Sequence, residues 1–223
     1  MAKPYALVVF DWEGTLGDTL GLILNVVGTV AEELGLEKPE PETAMACAGY
    51  GLVNALRKLY PELTEQEQQT LLNQVQTTLM KRHDEVFLFP GALAMIKNLH
   101  AQGIDLAIAT NKGEKSLQRA LQQTGLSPYF SVTRSAGQAA AKPDPEMLQQ
   151  ILEVSGHKAE EALMVGDSTS DIEMAGYVQM DAIALDFYHQ QNEALQAKGA
   201  LAVFDNYEDV TAFIMRSRQQ EKL

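Results

Sequence analysis

Basic residues are scarce in this 223-residue chain: 17 Lys and Arg stand against 30 Asp and Glu, a formal charge of −13. A surplus of that sign repels nucleic-acid phosphates and anionic lipid, so neither is an expected partner, and an anionic ligand needs a local cation to hold it. Cysteine is nearly absent. The single Cys47 cannot close an internal disulfide and reads as a small packed residue, while His83, His100, His157 and His189 are too scattered to make a zinc site. Long apolar runs are missing as well. Every stretch is far short of the roughly 18 residues a membrane helix requires, and the opening MAKPYALVVF lacks the pattern of a cleaved signal. With no internal repeat or low-complexity tract, the expectation is a soluble, cytoplasmic globular protein, a monomer or weak homodimer.

What the chain does contain is a series of short runs rich in Val, Ile, Leu and Ala, at 6–10, 104–109, 163–165, 182–185 and 201–204. They read as strands buried on both faces. Amphipathic stretches at 92–100, 115–124 and 146–154 lie between them, and this alternation predicts an α/β fold with a doubly wound, Rossmann-like parallel sheet. Helix punctuation agrees: Asp144 can cap the helix opened by Pro145, and Gly103, Gly125 and Gly156 follow helix ends. From about Leu20 to Phe87 the alternation stops and helical periodicity takes over, with Thr64 and Glu67 spaced as a capping box. We read residues 18–87 as a small all-helical cap inserted after the first strand, lying over its tip, with the α/β core formed by 1–17 and 88–223.

In an open parallel sheet, functional groups gather beyond the carboxyl ends of the strands. Three strand ends here deliver Asp11, Thr110 and Asp167, and Lys142 sits before a helix between the last two. Asp11 and Asp167 would repel each other unless a cation lay between them, and hard oxygen ligands suit Mg²⁺. Metal plus lysine makes a pocket for a dianion. A phosphoryl group held there by Mg²⁺, Lys142, the Thr110 hydroxyl and amides of the glycine loop could be attacked in line by a carboxylate. Gly14-Thr15 reads as a tight, phosphate-facing turn. Trp12 reads as packing and Asp18 as an acid at a helix start.

Asp11-Trp12-Glu13-Gly14-Thr15-Leu16, Thr110 after its strand, Lys142-Pro143, and Gly166-Asp167-Ser168-Thr169-Ser170-Asp171 together resemble the four motifs of the haloacid dehalogenase-like hydrolases. Order, spacing and the helical insert resemble the phosphoglycolate phosphatase-like branch, across nearly the whole chain. The resemblance implies Asp11 as nucleophile and Thr110, with the adjoining Asn111 and Lys142, as phosphate-binding residues. It also implies Mg²⁺ held by Asp11, Asp167, Asp171 as an outer ligand or support, and the main-chain carbonyl of Glu13. The substrate class it implies is a small phosphorylated metabolite, hydrolysed through an aspartyl phosphate, and from the part the matching cap loop plays in such relatives it implies Tyr50 and Arg57 as candidates for substrate contact.

Glu13 departs from the family pattern, where aspartate usually serves as acid and then base. Glutamate keeps the acid but moves its carboxyl by about one C–C bond, and a misplacement near 1 Å can cost on the order of 100-fold in rate. Slowed hydrolysis of the phosphoenzyme is the expectation. Other readings of the same residues are a sugar phosphomutase, a noncatalytic phosphate-binding or interaction protein, and a phosphoacceptor module; haloacid dehalogenation fits the lysine and acid pair less well.

Overall fold

The computed structural model describes residues 5–48, 51–82 and 84–219, so Tyr50 and His83 lie outside the described residues. In chain order, β1 (Leu7–Phe10) is followed by four helices: α1 (Thr19–Glu33), α2 (Pro41–Ala48), α3 (Leu52–Leu59) and α4 (Glu65–Lys81). Alternation then sets in, with α5 (Ala92–Ala101), β2 (Asp105–Gly113), α6 (Glu114–Thr124), β3 (Val132–Ala136), α7 (Glu146–Ser155) and β4 (Ala162–Gly166). The chain finishes through α8 (Thr169–Tyr177), β5 (Asp181–Leu185), α9 (Asn192–Ala197), β6 (Val203–Phe204) and α10 (Tyr207–Gln219).

Among the described residues, the strands form one six-stranded parallel sheet in the order β3-β2-β1-β4-β5-β6. That order is doubly wound and Rossmann-like, and it reverses direction at β1, with β2 on one side and β4 on the other. β1 is central, and none of its four side chains reaches solvent. Leu7 and Val9 pack in a cluster with Met147, Leu148 and Ile151 of α7 and Ile172, Met174 and Ala175 of α8. Val8 and Phe10 point to the other face, because side chains alternate along a strand, and both are equally buried. Each such side chain contributes about 1.5–3 kcal/mol by leaving water, so β1 is a rigid base for whatever follows it.

β3 was not visible as an apolar run, for a physical reason. It is the edge strand, and in Val-Thr-Arg-Ser-Ala only Val132 and Ser135 are buried. An edge strand is not enclosed on all sides and can carry polar side chains.

The chain divides into two compact units, Met1–Asp18 with Leu88–Leu223 and Thr19–Phe87. The helical unit has its own core, where Val26, Val27 and Val30 of α1 meet Leu56 and Tyr60 near α3 and Leu71 and Val75 of α4. Its capping box is formed: Thr64 N donates to Glu67 Oε2 at 2.8 Å and Glu67 N to Thr64 Oγ1 at 3.4 Å. Cys47 is buried and free. Asp18, counted with the insert from sequence, groups with the sheet, where it accepts a 2.6 Å hydrogen bond from the Tyr188 hydroxyl. The two ends of the sheet unit that flank the insert are paired: Gly17 bridges Leu88 in antiparallel fashion, and Phe89 N donates to Leu16 O at 3.1 Å. No helix among the described residues is long and apolar enough to cross a membrane.

Candidate active site

Asp11 is the first residue beyond β1. Its amide donates to Val165 O of β4 at 2.9 Å, extending the parallel ladder by one bond and fixing the carboxylate where the sheet reverses direction. Thr110 arrives on β2, and Asp167 directly follows β4. Lys142 comes from the loop between β3 and α7, whose main chain is held by Asn111: Lys142 N donates to Asn111 Oδ1 at 2.9 Å. A cavity of ≈ 350 Å³ is lined by Asp11, Glu13, Thr110, Asn111, Lys142 and Asp167, together with Lys112, Ser168 and Ser170. Six of the seven site residues read from sequence therefore meet in one recess, and all lie in the sheet unit. The seventh, Asp171, stands behind it.

Lys142 is the buried cation of the site. Its Nζ lies 2.7 Å from Asp11 Oδ1 and 2.6 Å from Asp171 Oδ1, and its side chain is 2% exposed. The Asp171 contact is a hydrogen bond, whereas the Asp11 contact is an ion pair whose angles leave Asp11 Oδ1 buried with no hydrogen-bond partner. Burial works to lower the Lys142 pKa, but the two carboxylates outweigh it and hold the lysine above its ordinary value. Burial pushes Asp11 up to about 6; Lys142 opposes the rise, and Asp171 adds to it. Asp167 is pushed up to about 8, first by burial and then by the charges of Asp11 and Asp171.

Three acids against one buried lysine leave surplus negative charge. Carboxylate oxygens of Asp11, Asp167 and Asp171 lie within 4.8 Å of one another. An all-oxygen set of three acids sharing a single buried lysine fits a hard divalent cation such as Mg²⁺. The three acids differ in availability. Asp171 is fully buried, and its other oxygen, Oδ2, accepts from Ser168 N at 3.1 Å and Ser168 Oγ at 2.6 Å, so both its oxygens are committed. It aims Lys142 and caps α8, leaving Asp11 and Asp167 as the open ligands.

The glycine loop departs from its expected part. Gly14 N donates to Gly17 O at 3.0 Å, and Thr15 N, Leu16 N and Gly17 N all turn to Trp12 O. These amides are spent within the loop and do not face the recess. Gly14 is needed for a different reason. It has φ of +74°, and a Cβ there would come 2.0 Å from Asp167 Oδ2, so only hydrogen lets the loop pass so close to that carboxylate. Trp12 packs, as its 1% exposure and its contact with Gly17 require.

Lys112, Ser168 and Ser170 were missed from sequence. Lys112 had a signal: in a strand, side chains two residues apart share a side, so Thr110 at the strand end implied Lys112 beside it. The strand continues to Gly113, and Lys112 Nζ reaches Glu13 Oε1 at 2.5 Å. Asp186, another acid at a strand end, takes no part here: it accepts from the amides of Gln190 and Gln191, both at 2.9 Å, and folds its own loop. Among the described residues, the histidines enter no metal-type cluster. Arg57 lies on α3, exposed, in the helical unit.

Comparison with known proteins bears on the family and the fold. The family described as haloacid dehalogenase-like hydrolase matches residues 8–185. The chain is 27% identical over 207 residues to a phosphoglycolate phosphatase of Pseudomonas fluorescens, covering 90% of this chain and 76% of the relative. It is 30% identical over 213 residues to a protein of Dickeya dadantii that bears the name "Probable phosphatase IndB", covering 93% and 92%. A hydrolase from Deinococcus radiodurans, solved with phosphate and sodium bound, shares the fold with a TM-score of 0.73 at 22% identity, over 97% of each chain. With the sheet order and the family match over 8–185 in agreement, the chain belongs to the haloacid dehalogenase-like hydrolases.

Proposed function

We propose that the chain is a phosphatase that hydrolyses a small phosphomonoester through a phosphoryl group carried on Asp11. One observation carries this reading: a buried carboxylate, a buried lysine and a threonine hydroxyl from separate elements line a single ≈ 350 Å³ recess. Mg²⁺ would be held by Asp11, Asp167 and the main-chain carbonyl of Glu13, and it would supply positive charge to the phosphoryl oxygens.

An Asp11 oxygen attacks phosphorus, and the bond from phosphorus to the substrate oxygen breaks. Burial disfavours the ionised Asp11 that must attack, while Lys142, and Mg²⁺ when bound, would favour it. Lys142 and the Thr110 hydroxyl steady the charge on the phosphoryl oxygens. The leaving oxygen takes a proton from the Glu13 carboxyl. Glu13, now a carboxylate, accepts a proton from water; the water oxygen attacks phosphorus, the Asp11 oxygen leaves, and inorganic phosphate departs with Asp11 restored. The family similarity and the phosphatase names of two relatives support the assignment as a phosphatase. The longer reach of Glu13 makes the second half the slower one.

The test is phosphate release from a panel of phosphomonoesters, including 2-phosphoglycolate and p-nitrophenyl phosphate, with Mg²⁺ and with chelator, for the native chain and Asp11→Asn. Release that requires Mg²⁺ and disappears in Asp11→Asn is expected, with a quick quench trapping phosphoprotein only in the native chain. Mg²⁺-dependent ligand binding without multiple turnovers would move the assignment to a phosphate-binding protein.

A further inference from the structure

Resting on the phosphatase reading above, we propose that Lys112 is the positioning residue that makes glutamate workable at position 13. Glutamate has one more rotatable bond than aspartate, and an unrestrained side chain of that length spreads its carboxyl over several rotamers. Here the spread is limited by a specific contact. Lys112 Nζ lies 2.5 Å from Glu13 Oε1, with side-chain exposures of 22% and 39%, so the pair sits at the rim of the recess and not out in bulk water.

Lys112 itself is held from below. β2 runs beyond Thr110, its pairing with β3 shifts register between Thr110 and Gly113, and Lys112 N donates to Thr110 Oγ1 at 3.2 Å. That shift takes the strand's last residues out of regular pairing with β3. One strand end thus supplies a hydroxyl to the recess and, two residues on, a cation to the acid opposite. Lys142 does not do this job, because its Nζ is committed to Asp11 and Asp171. An ordinary exposed ion pair is worth well under about 1 kcal/mol in stability. Its value here is geometric, since a carboxyl displaced by about 1 Å forfeits much of its proton-transfer rate.

Contact and side-chain length go together. An aspartate at position 13 ends about one C–C bond short of Lys112 and is stiff enough not to need it. The two residues are therefore expected to be coupled: Lys112 matters when residue 13 is glutamate and hardly at all when it is aspartate.

The test is a double-mutant cycle of Lys112→Met and Glu13→Asp, assayed with p-nitrophenyl phosphate and Mg²⁺, with Lys112→Arg as the conservative variant. Lys112→Met is expected to lower kcat about tenfold with KM changed by less than about twofold, and to slow phosphoenzyme decay by the same factor. Lys112→Arg should recover most of the loss, and in Glu13→Asp the same Met substitution should change kcat by less than about twofold. Equal losses in both backgrounds, or a raised KM with kcat kept, would overturn the proposal, the latter by making Lys112 a substrate contact. A crystal structure of Lys112→Met provides an arm that needs no turnover: Glu13 retaining a single rotamer would also overturn it. Failure of the phosphatase reading looks different, namely no Asp11-dependent phosphoprotein in any variant.

Discussion

Lys142 and Asp171 form a buried pair, Nζ to Oδ1 at 2.6 Å, in which the aspartate touches neither solvent nor the recess. Asp171 thus acts through the lysine, holding its ammonium toward Asp11 while Ser168 occupies its second oxygen.

Removing that ammonium should be costly. In Lys142→Met, Asp11, Asp167 and Asp171 face one another without the buried countercharge, and breaking a buried pair in this way costs about 3–5 kcal/mol. Urea denaturation at neutral pH should show a loss of that order, smaller when Mg²⁺ is in excess, and phosphate release should fall to background. A variant as stable as the native chain would mean that Asp11 and Asp171 do not need the charge of Lys142.

Stability of the metal-free protein should fall as pH rises from about 4 to about 8. Asp11 and Asp167 have folded-state pKa values of about 6 and about 8, above the ordinary 3.8. The native state therefore binds more protons than the unfolded chain in that window, and protonation stabilises it. That contribution is complete below the unfolded value and is lost as pH climbs through the folded ones. Mg²⁺ favours the ionised acids and should flatten the slope. It should also displace the Asp167 proton, so titration calorimetry near pH 7 in buffers of differing ionisation enthalpy should detect proton release on Mg²⁺ binding.

Glu13→Gln should separate the two halves of the reaction. The amide cannot take a proton from water, so kcat should fall by about 10²–10⁴ while phosphoprotein accumulates. Mg²⁺ affinity should hold, because the metal contact assigned to this residue is its main-chain carbonyl. Glu13→Asp should instead shorten the lifetime of the phosphoprotein, as read by quenched-flow labelling.

Gly14→Ala tests the close approach of loop and acid. The added Cβ would overlap Asp167 Oδ2, and φ of +74° is strained for any residue but glycine. A stability loss of about 1–3 kcal/mol is expected from the backbone alone, together with weakened Mg²⁺ binding as Asp167 is pushed aside. Equilibrium dialysis of Mg²⁺ against the variant and the native chain checks it.

How much of this was legible in the sequence depended on burial. Strands enclosed on both faces read as continuous apolar runs, so β1, β2, β4 and β5 stood out, and with the first three of them Asp11, Thr110 and Asp167 at their ends. β3 did not, because an edge strand may keep Thr133 and Arg134 half-exposed. Lys142 was identifiable only by its place among the other motifs; nothing local distinguishes it from a loop lysine, and its burial follows from partners 131 and 29 positions away along the chain. For the Gly14 loop, sequence conveyed the turn but not which way its amides face, since that depends on Trp12 O collecting three of them. Lys112 needed one further step, carrying the strand's two-residue period past its apolar end.

The pairing of Gly17 with Leu88, and of Phe89 with Leu16, bears on how the chain could be rebuilt. The two points where the helical segment leaves and rejoins are stitched to each other within the sheet unit, so the distance the segment must span is already closed. A different segment, or a short turn, could be grafted at 18 and 88 with little added loop-closure entropy. The reacting groups, all in the sheet unit, would keep their foundations whatever segment stood there.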